Sequence, residues 1–391
     1  MANINVPVNP KVLQWAINKA NLDFDDVLYT FPKLNKWLEG ISQPTIKQIE
    51  KLSMKTHIPF GYFFLKTPPE EKIELLEYRT IQNDIVNQPS RELVDTIYDM
   101  ERRQEWMKEY LIQQDESPLS FVHSVYPDDS VLSIVEKIRK DINIKKEWYV
   151  DFKTTHDSFV YLRRKVEAAG IMIMMNGVVG NNTHRKLDVS EFRAFVIVDK
   201  YAPLIFINAG DAWSGRIFSL CHELAHIWFG ISELYNETYK SEANYANPIE
   251  IKCNAVAAEL LVPRDVFDIQ WNQSNISDVS EKIKDLAKYF NVSNLVIAKK
   301  AFDTKKVAIS IYNEIYEETM DNVKEKNQKG NGGGDYFKTA KSRMDFRFFK
   351  AISDSVNNGT LLYTDAYKLT GLSRNSFEHF EKTMMEGQHF G

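Results

Sequence analysis

The sequence predicts an α+β chain, mostly helical and divided into several domains, and three observations predict it. Its 391 residues exceed what one compact core usually holds, and 43% of them are hydrophobic, which suits folded cores rather than disorder. Apolar residues recur at helical spacing through most segments, whereas strand-like runs cluster between residues 171 and 208. A proline pair and a glycine-rich stretch mark breaks between these blocks.

Residues 1–75 read as a module of short helices over 10–20, 24–29, 32–38 and 44–56. Trp37-Leu38-Glu39-Gly40, followed by Gln43-Pro44-Thr45, resembles the end of the recognition helix in Xre-like, repressor-type helix-turn-helix domains. The segment departs from that pattern where DNA would be read. Lys33, Asn35 and Lys36 are the polar side chains offered, with no arginine for guanine. Nine lysines and no arginine face eight acidic residues, so attraction to phosphate is weak and protein contact is the competing use. The apolar run 58–65 closes the module, and Pro68-Pro69 marks its boundary.

A helical connector covers 76–150. Leu93, Ile97, Met100, Trp106 and Tyr110 give residues 91–114 the spacing of a long half-buried helix, and a second helix is expected over 128–141. The next unit, 151–265, opens with a helix over 158–169 and a strand over 171–174. The polar run 177–188 reads as a mobile loop, in which His184 and Arg185 are solvated or touch substrate. Strand-like runs follow at 192–198 and 203–208.

The chemistry lies in the next helix. His222-Glu223-Leu224-Ala225-His226 places two imidazoles four residues apart, one turn along the same face, where they can share one zinc ion. Glu223 lies beside that position, where it can take a proton from water activated at the metal. With eight histidines in the chain, chance yields such a pattern in roughly one per cent of cases, so it carries weight. Ile217, Leu220, Cys221, Leu224, Ile227 and Trp228 form an anchoring arc, and Ser219, His222, Glu223, His226 and Phe229 fall opposite. Asp211 is expected to cap the helix start and Gly230 its end.

Zinc needs a third protein ligand. Residues 247–263 read as a helix with Asn247 as N-cap, Pro248 at its first position and Pro263 at its end. Glu250 and Glu259 stand 180° apart on it, so both cannot face one metal. Glu250 shares an arc with Asn254 and Ala257, where small residues allow a close approach; Glu259 is expected in solvent or behind the ligands. Glu250 also occupies the capping-box position, and spacing alone leaves ligand and cap open.

Together, His222 to His226, the preceding Ile217-Phe218-Ser219-Leu220 and the run from Glu250 to Pro263 resemble the ImmA/IrrE family of zinc metallopeptidases. The resemblance implies a zincin-like core of a small sheet and the motif helix. It also implies that His222, His226 and Glu250 bind Zn2+ and that Glu223 is the general base. It selects the ligand role for Glu250. Relatives of this kind cut helix-turn-helix repressors by limited proteolysis. The implied partner is therefore a protein substrate, a transcriptional repressor, in a mobile-element, phage-defence or stress-response circuit.

After Pro263, residues 266–318 form a helical subdomain whose 280–302 stretch has helix-turn-helix spacing. Residues 319–335 read as a flexible glycine-rich linker and 336–391 as a C-terminal helical module. In that module Lys338, Lys341, Arg343, Arg347 and Lys350 interleave with Tyr336, Phe337, Phe346, Phe348 and Phe349, and Arg374 and Asn375 open a second helix, so DNA and protein are both open as its partner.

The remaining composition bounds the classes. Cys221 and Cys253, the two cysteines, fit a reducing cytoplasm and buried packing roles. No signal peptide and no membrane-spanning run is apparent, and a net charge of −5 argues against a chain built to coat nucleic acid. The rival function is a DNA-binding transcription regulator or antitoxin-like protein whose zinc unit is a sensor or scaffold. Tyr235, Tyr239 and Tyr245 are candidates for stabilising an oxyanion.

Overall fold

A computed structural model of the chain describes residues 4–20, 22–69, 89–235, 248–328 and 343–386. Asn247, Tyr239 and Tyr245, the glycine run 332–334, and Tyr336, Phe337, Lys338 and Lys341 lie outside the described residues. Two compact units divide the chain, Met1–Tyr98 and Asp99–Gly391.

In the first unit, α1 (Pro10–Lys19), α2 (Phe24–Thr30), α3 (Leu34–Leu38) and α4 (Ile46–Thr56) enclose a core of Leu13, Ala16, Val27, Leu34, Trp37, Ile49 and Leu52. Sequence placed the third helix at 32–38. Pro32 disfavours a helical conformation at Phe31, whose φ of −129° and ψ of 78° end α2, and α3 begins only at Leu34. The result is five residues, about 7.5 Å of helix. Lys33, Asn35 and Lys36 are exposed around it, while Leu34 and Trp37 are buried. Helix α4 starts after Thr45, because Thr45 and Gln48 form a reciprocal capping box that leaves Pro44 outside.

The second unit is a small sheet wrapped in helices. Helix α5 (Arg91–Gln113) runs into it from residue 99 onward, followed by α6 (Val131–Asp141) and α7 (Thr155–Ala168). Strands β1 (Met172–Asn176), β4 (Ala194–Ile197), β5 (Leu204–Asn208) and β6 (Glu233–Tyr235) form one sheet in the order β1-β5-β4-β6. Strands β1 and β5 are parallel, which the crossover between them requires; β4 runs antiparallel to both β5 and β6. The inner strands carry Phe195, Val196, Ile205 and Phe206, all buried, as expected of a sheet covered on both faces.

The expected loop at 177–188 is instead a hairpin of β2 (Val178–Val179) and β3 (Asn182–Lys186). Gly180 and Asn181 form its two-residue turn, with Gly180 at φ +55°, a conformation glycine adopts without steric cost. Asn176 braces the hairpin: its Oδ1 accepts from the Gly177 and Val178 amides and its Nδ2 donates to the Gly180 carbonyl. Exposed His184 and half-buried Arg185 lie on β3.

Helix α8 (Trp213–Phe229) packs on the sheet, and α9 (Pro248–Leu261) lies against α8. Helices α10 (Arg264–Gln273), α11 (Val279–Phe290), α12 (Asn294–Asp303) and α13 (Ile309–Gln328) follow. Their Phe267, Ile283, Phe290 and Ile297 join the same core as α8 and α9.

The last module, α14 (Phe346–Asn357), α15 (Tyr363–Thr370) and α16 (Arg374–Glu386), is seated on the edge strand β1. Asp345 caps α14 through the Phe348 amide at 2.9 Å, and its other oxygen accepts the Ile173 amide of β1 at 3.3 Å. Arg163 of α7 donates to the carbonyls of Ile173 and Met344 and pairs with Glu167 at 2.7 Å. An otherwise open sheet edge is thereby satisfied by side chains. Phe348 is fully buried and meets Trp106 of α5 edge-on at 5.7 Å, and Asn181 of the hairpin donates to the Gly371 carbonyl. Burial pushes the Glu167 carboxyl up to about 7 against the opposing pull of Arg163, and burial also raises Asp345. Among the described residues, no helix is long and apolar enough to cross a membrane.

Candidate metal centre

Helix α8 is held at both ends by backbone geometry. Asp211 does not cap it: Ala212 is the N-cap residue, and the Asp211 carboxylate turns to Arg193 at 3.2 Å and to the Ala212 amide at 2.7 Å. Sequence placed the cap one residue early. At the other end Gly230 closes the helix at φ +78° as expected, and a Cβ there would meet the His123 side chain at 2.7 Å. The amides of His123, Ser124 and Val125 take the last-turn carbonyls of Ile227 and Trp228. Trp228 stacks on Phe121 at 4.5 Å and donates to Asp141 at 3.1 Å.

The helix is buried on every side from Ser219 to Phe229, not only on its apolar arc. Helix α9 covers the polar side. His222, Glu223 and His226 thus sit at 1% exposure or less, and both carboxylate oxygens of Glu223 are buried.

His222, His226 and Glu250 converge. The two Nε2 atoms lie 3.0 Å apart, and the Glu250 oxygens lie 2.9 Å from His226 Nε2 and 3.3 Å from His222 Nε2. Tetrahedral zinc with ligand bonds of about 2.05 Å sets its donors roughly 3.3 Å apart, so the three separations fit the edges of one coordination shell. Two imidazole nitrogens and a carboxylate are also a donor set that suits zinc chemically. Among the described residues this is the one cluster of histidine, cysteine and acidic side chains able to hold a metal ion.

The charge states agree with that use. Burial lowers the His222 pKa, which keeps its ring neutral with a lone pair to offer. Burial alone would raise the Glu250 carboxyl, but the adjoining His222 and His226 rings outweigh it and hold the group well below the usual carboxylate range.

Glu259, the other candidate on α9, is directed away from the cluster. It is buried, so neither expectation, solvent or a place behind the ligands, is met. One oxygen pairs with Lys300 of α12 at 2.5 Å, and the other accepts the Arg264 amide that opens α10 at 2.9 Å. The cysteines are free and buried, and burial raises the Cys221 thiol so far that it stays protonated at neutral pH. Among the tyrosine candidates, Tyr235 contributes backbone to β6, while Tyr239 and Tyr245 fall outside the described residues.

Sequence reasoning missed Asn254 as part of the site and treated it as a small residue easing helix approach. Its Oδ1 lies 3.0 Å from His222 Nδ1, on the far side of the ring from the converging nitrogens. The available signal was its position four residues after Glu250, on the same face of α9.

Residues 166–302 match the family model described as the IrrE N-terminal-like domain, Peptidase_M78. The chain thus carries an IrrE-like segment. This segment runs from the end of α7 through the sheet, the His222–His226–Glu250 cluster and the α11–α12 pair, so His222, Glu223, His226 and Glu250 all fall inside it. Residues 345–383, the module on the β1 edge, match a domain of unknown function, DUF8813. No curated protein and no solved structure matches the chain.

Proposed function

We propose that the protein is a zinc-dependent metallopeptidase that cuts a regulatory protein at a limited number of sites. The observation that carries this reading is the convergence of His222 Nε2, His226 Nε2 and the Glu250 carboxylate at 2.9–3.3 Å, with Glu223 buried between the two histidines on the same helix. The match of residues 166–302 to a peptidase family model supports it independently.

In this reading His222, His226 and Glu250 hold the zinc. Zinc at such a site supplies Lewis-acid polarisation of a scissile carbonyl and of water. Glu223 supplies the proton transfer: its carboxylate takes a proton from the attacking water and delivers it to the departing amine. Enclosure of Glu223 in a site of low exposure strengthens its interaction with a developing positive charge on that amine. A purely structural metal site has no use for an acid–base carboxylate in that position, which favours an enzyme over a scaffold or sensor.

The substrate we propose is a helix-turn-helix transcriptional repressor, in a mobile-element, phage-defence or stress-response circuit within the cytoplasm. The first unit then serves to dock a protein partner rather than to read DNA. Its five-residue α3, which exposes Asn35 and Lys36 with Lys33 just before it, supports that choice, because base reading in the major groove ordinarily takes a longer helix with bidentate donors. The test is to purify the full chain, measure its zinc content and incubate it with the products of neighbouring genes. One zinc per chain and cleavage of one such product, abolished by a chelator and restored by zinc, is the expected result. A chain that takes up no zinc, or tight operator binding by the chain with no cleavage of any neighbour, refutes it.

A further inference from the structure

A metal-binding imidazole must present a lone pair to the ion, so the proton of a neutral ring has to reside on its other nitrogen. At His222 the ring is buried, and Nε2 is the atom that converges with His226 and Glu250. Its proton therefore belongs on Nδ1. An acceptor stands there, the Asn254 Oδ1 at 3.0 Å. His226 differs: its Nδ1 is buried with no hydrogen-bond partner among the described residues.

The placement of Asn254 is not incidental to the helix. It lies one turn beyond Glu250 on the same face of α9, so that one helix face delivers a direct ligand and the acceptor behind the opposing ligand. A slip of α9 by one residue would rotate both away together. The neighbouring helix is thereby coupled to the ring orientation of a histidine on α8, through a bond that does not involve the ion.

We infer that Asn254 is a positioning residue for the metal centre, fixing His222 as the Nδ1–H tautomer with Nε2 directed at the ion. The inference rests on the proposed zinc reading and adds an unequal pair of histidines, one oriented before metal arrives and one not. Outer hydrogen-bond partners of this kind are typically worth 10- to 100-fold in metal affinity.

The test uses the full chain and three variants, Asn254→Leu, Asn254→Asp and Asn254→Ala, each checked for native circular dichroism. Zinc affinity is read by competition with a chromophoric chelator, and the His222 tautomer by 15N NMR of the histidine-labelled, metal-free protein. The wild type should show Nδ1–H at His222. Asn254→Leu and Asn254→Ala should bind zinc roughly 10- to 100-fold more weakly and show a mixed or Nε2–H tautomer. Asn254→Asp, which keeps the acceptor, should restore affinity to within about threefold of wild type, an outcome that mere packing at this position would not produce. Wild-type affinity in Asn254→Leu, or an Nε2–H tautomer in the wild type, overturns the inference and leaves the peptidase reading standing. A wild type without zinc affinity overturns the peptidase reading and the inference alike.

Discussion

Replacing Lys300 by Met isolates the role of Glu259. In the native protein the Glu259 carboxylate is 7% exposed, with Lys300 Nζ at 2.5 Å and the Arg264 amide at 2.9 Å. At an effective dielectric constant of about 20, a pair at that separation attracts by roughly 6–7 kcal/mol, most of which offsets the desolvation of the two charges. Methionine fills the volume of the lysine stem but leaves a buried carboxylate with only a backbone donor. Removal of one partner from such a pair typically costs about 3–5 kcal/mol, and the remaining amide bond places the expectation near the lower end, about 3 kcal/mol. The assay is urea denaturation followed by circular dichroism, with zinc content measured on the same samples. A lowered midpoint at unchanged zinc content is expected. A change below about 0.5 kcal/mol would refute the buried-pair account, and loss of zinc would refute the assignment of Glu259 to the scaffold.

Three further outcomes follow from the same geometry. Glu250→Gln should abolish zinc binding while Glu259→Gln retains it, read by metal analysis after gel filtration; equal retention in both variants would exclude Glu250 as the third ligand. Gly230→Ala should destabilise the protein by about 2 kcal/mol or more, since alanine at φ +78° is strained and its Cβ meets His123 at 2.7 Å, and an unchanged melting temperature would contradict this. The Glu167 carboxyl is raised from an ordinary 4.5 to about 7, so the folded state binds its proton more tightly than the unfolded chain. Its contribution is therefore fully present below about pH 4.5 and is lost as pH rises to about 7, a change of roughly 3 kcal/mol. Between pH 5 and 8, the stability gap between wild type and Glu167→Gln should narrow by about that amount, and a pH-independent gap in urea midpoints would contradict the raised carboxyl.

Legibility in the sequence followed the range of the interactions. The motif helix and α9 could be read because local periodicity and the types His, Glu and Pro fix them, and the 180° separation of Glu250 and Glu259 correctly put only one of them beside the histidines. The fate of Glu259 was not readable, because Lys300 lies 41 residues away and only the fold brings it near. The hairpin at Val178–Lys186 was hidden by its polar composition: its strands are exposed or half-buried, so no apolar alternation marks them, and its evidence is the Gly180-Asn181 turn and the bracing by Asn176. The burial of the ligand side of α8 was likewise invisible, since a helix covered by α9 on its polar face looks in sequence like one with a solvated face. Seating of the C-terminal module on β1 depends on Asp345 and Ile173, which are 172 residues apart.

The measurement closest to the central claim compares wild type with Glu223→Gln at matched zinc content, following cleavage of a protein substrate of the wild type. The account predicts one zinc per chain in both and a cleavage rate about 10²- to 10⁴-fold lower in the variant, because the ligands are untouched and only the proton carrier is lost. Equal cleavage by the two zinc-loaded proteins would contradict it.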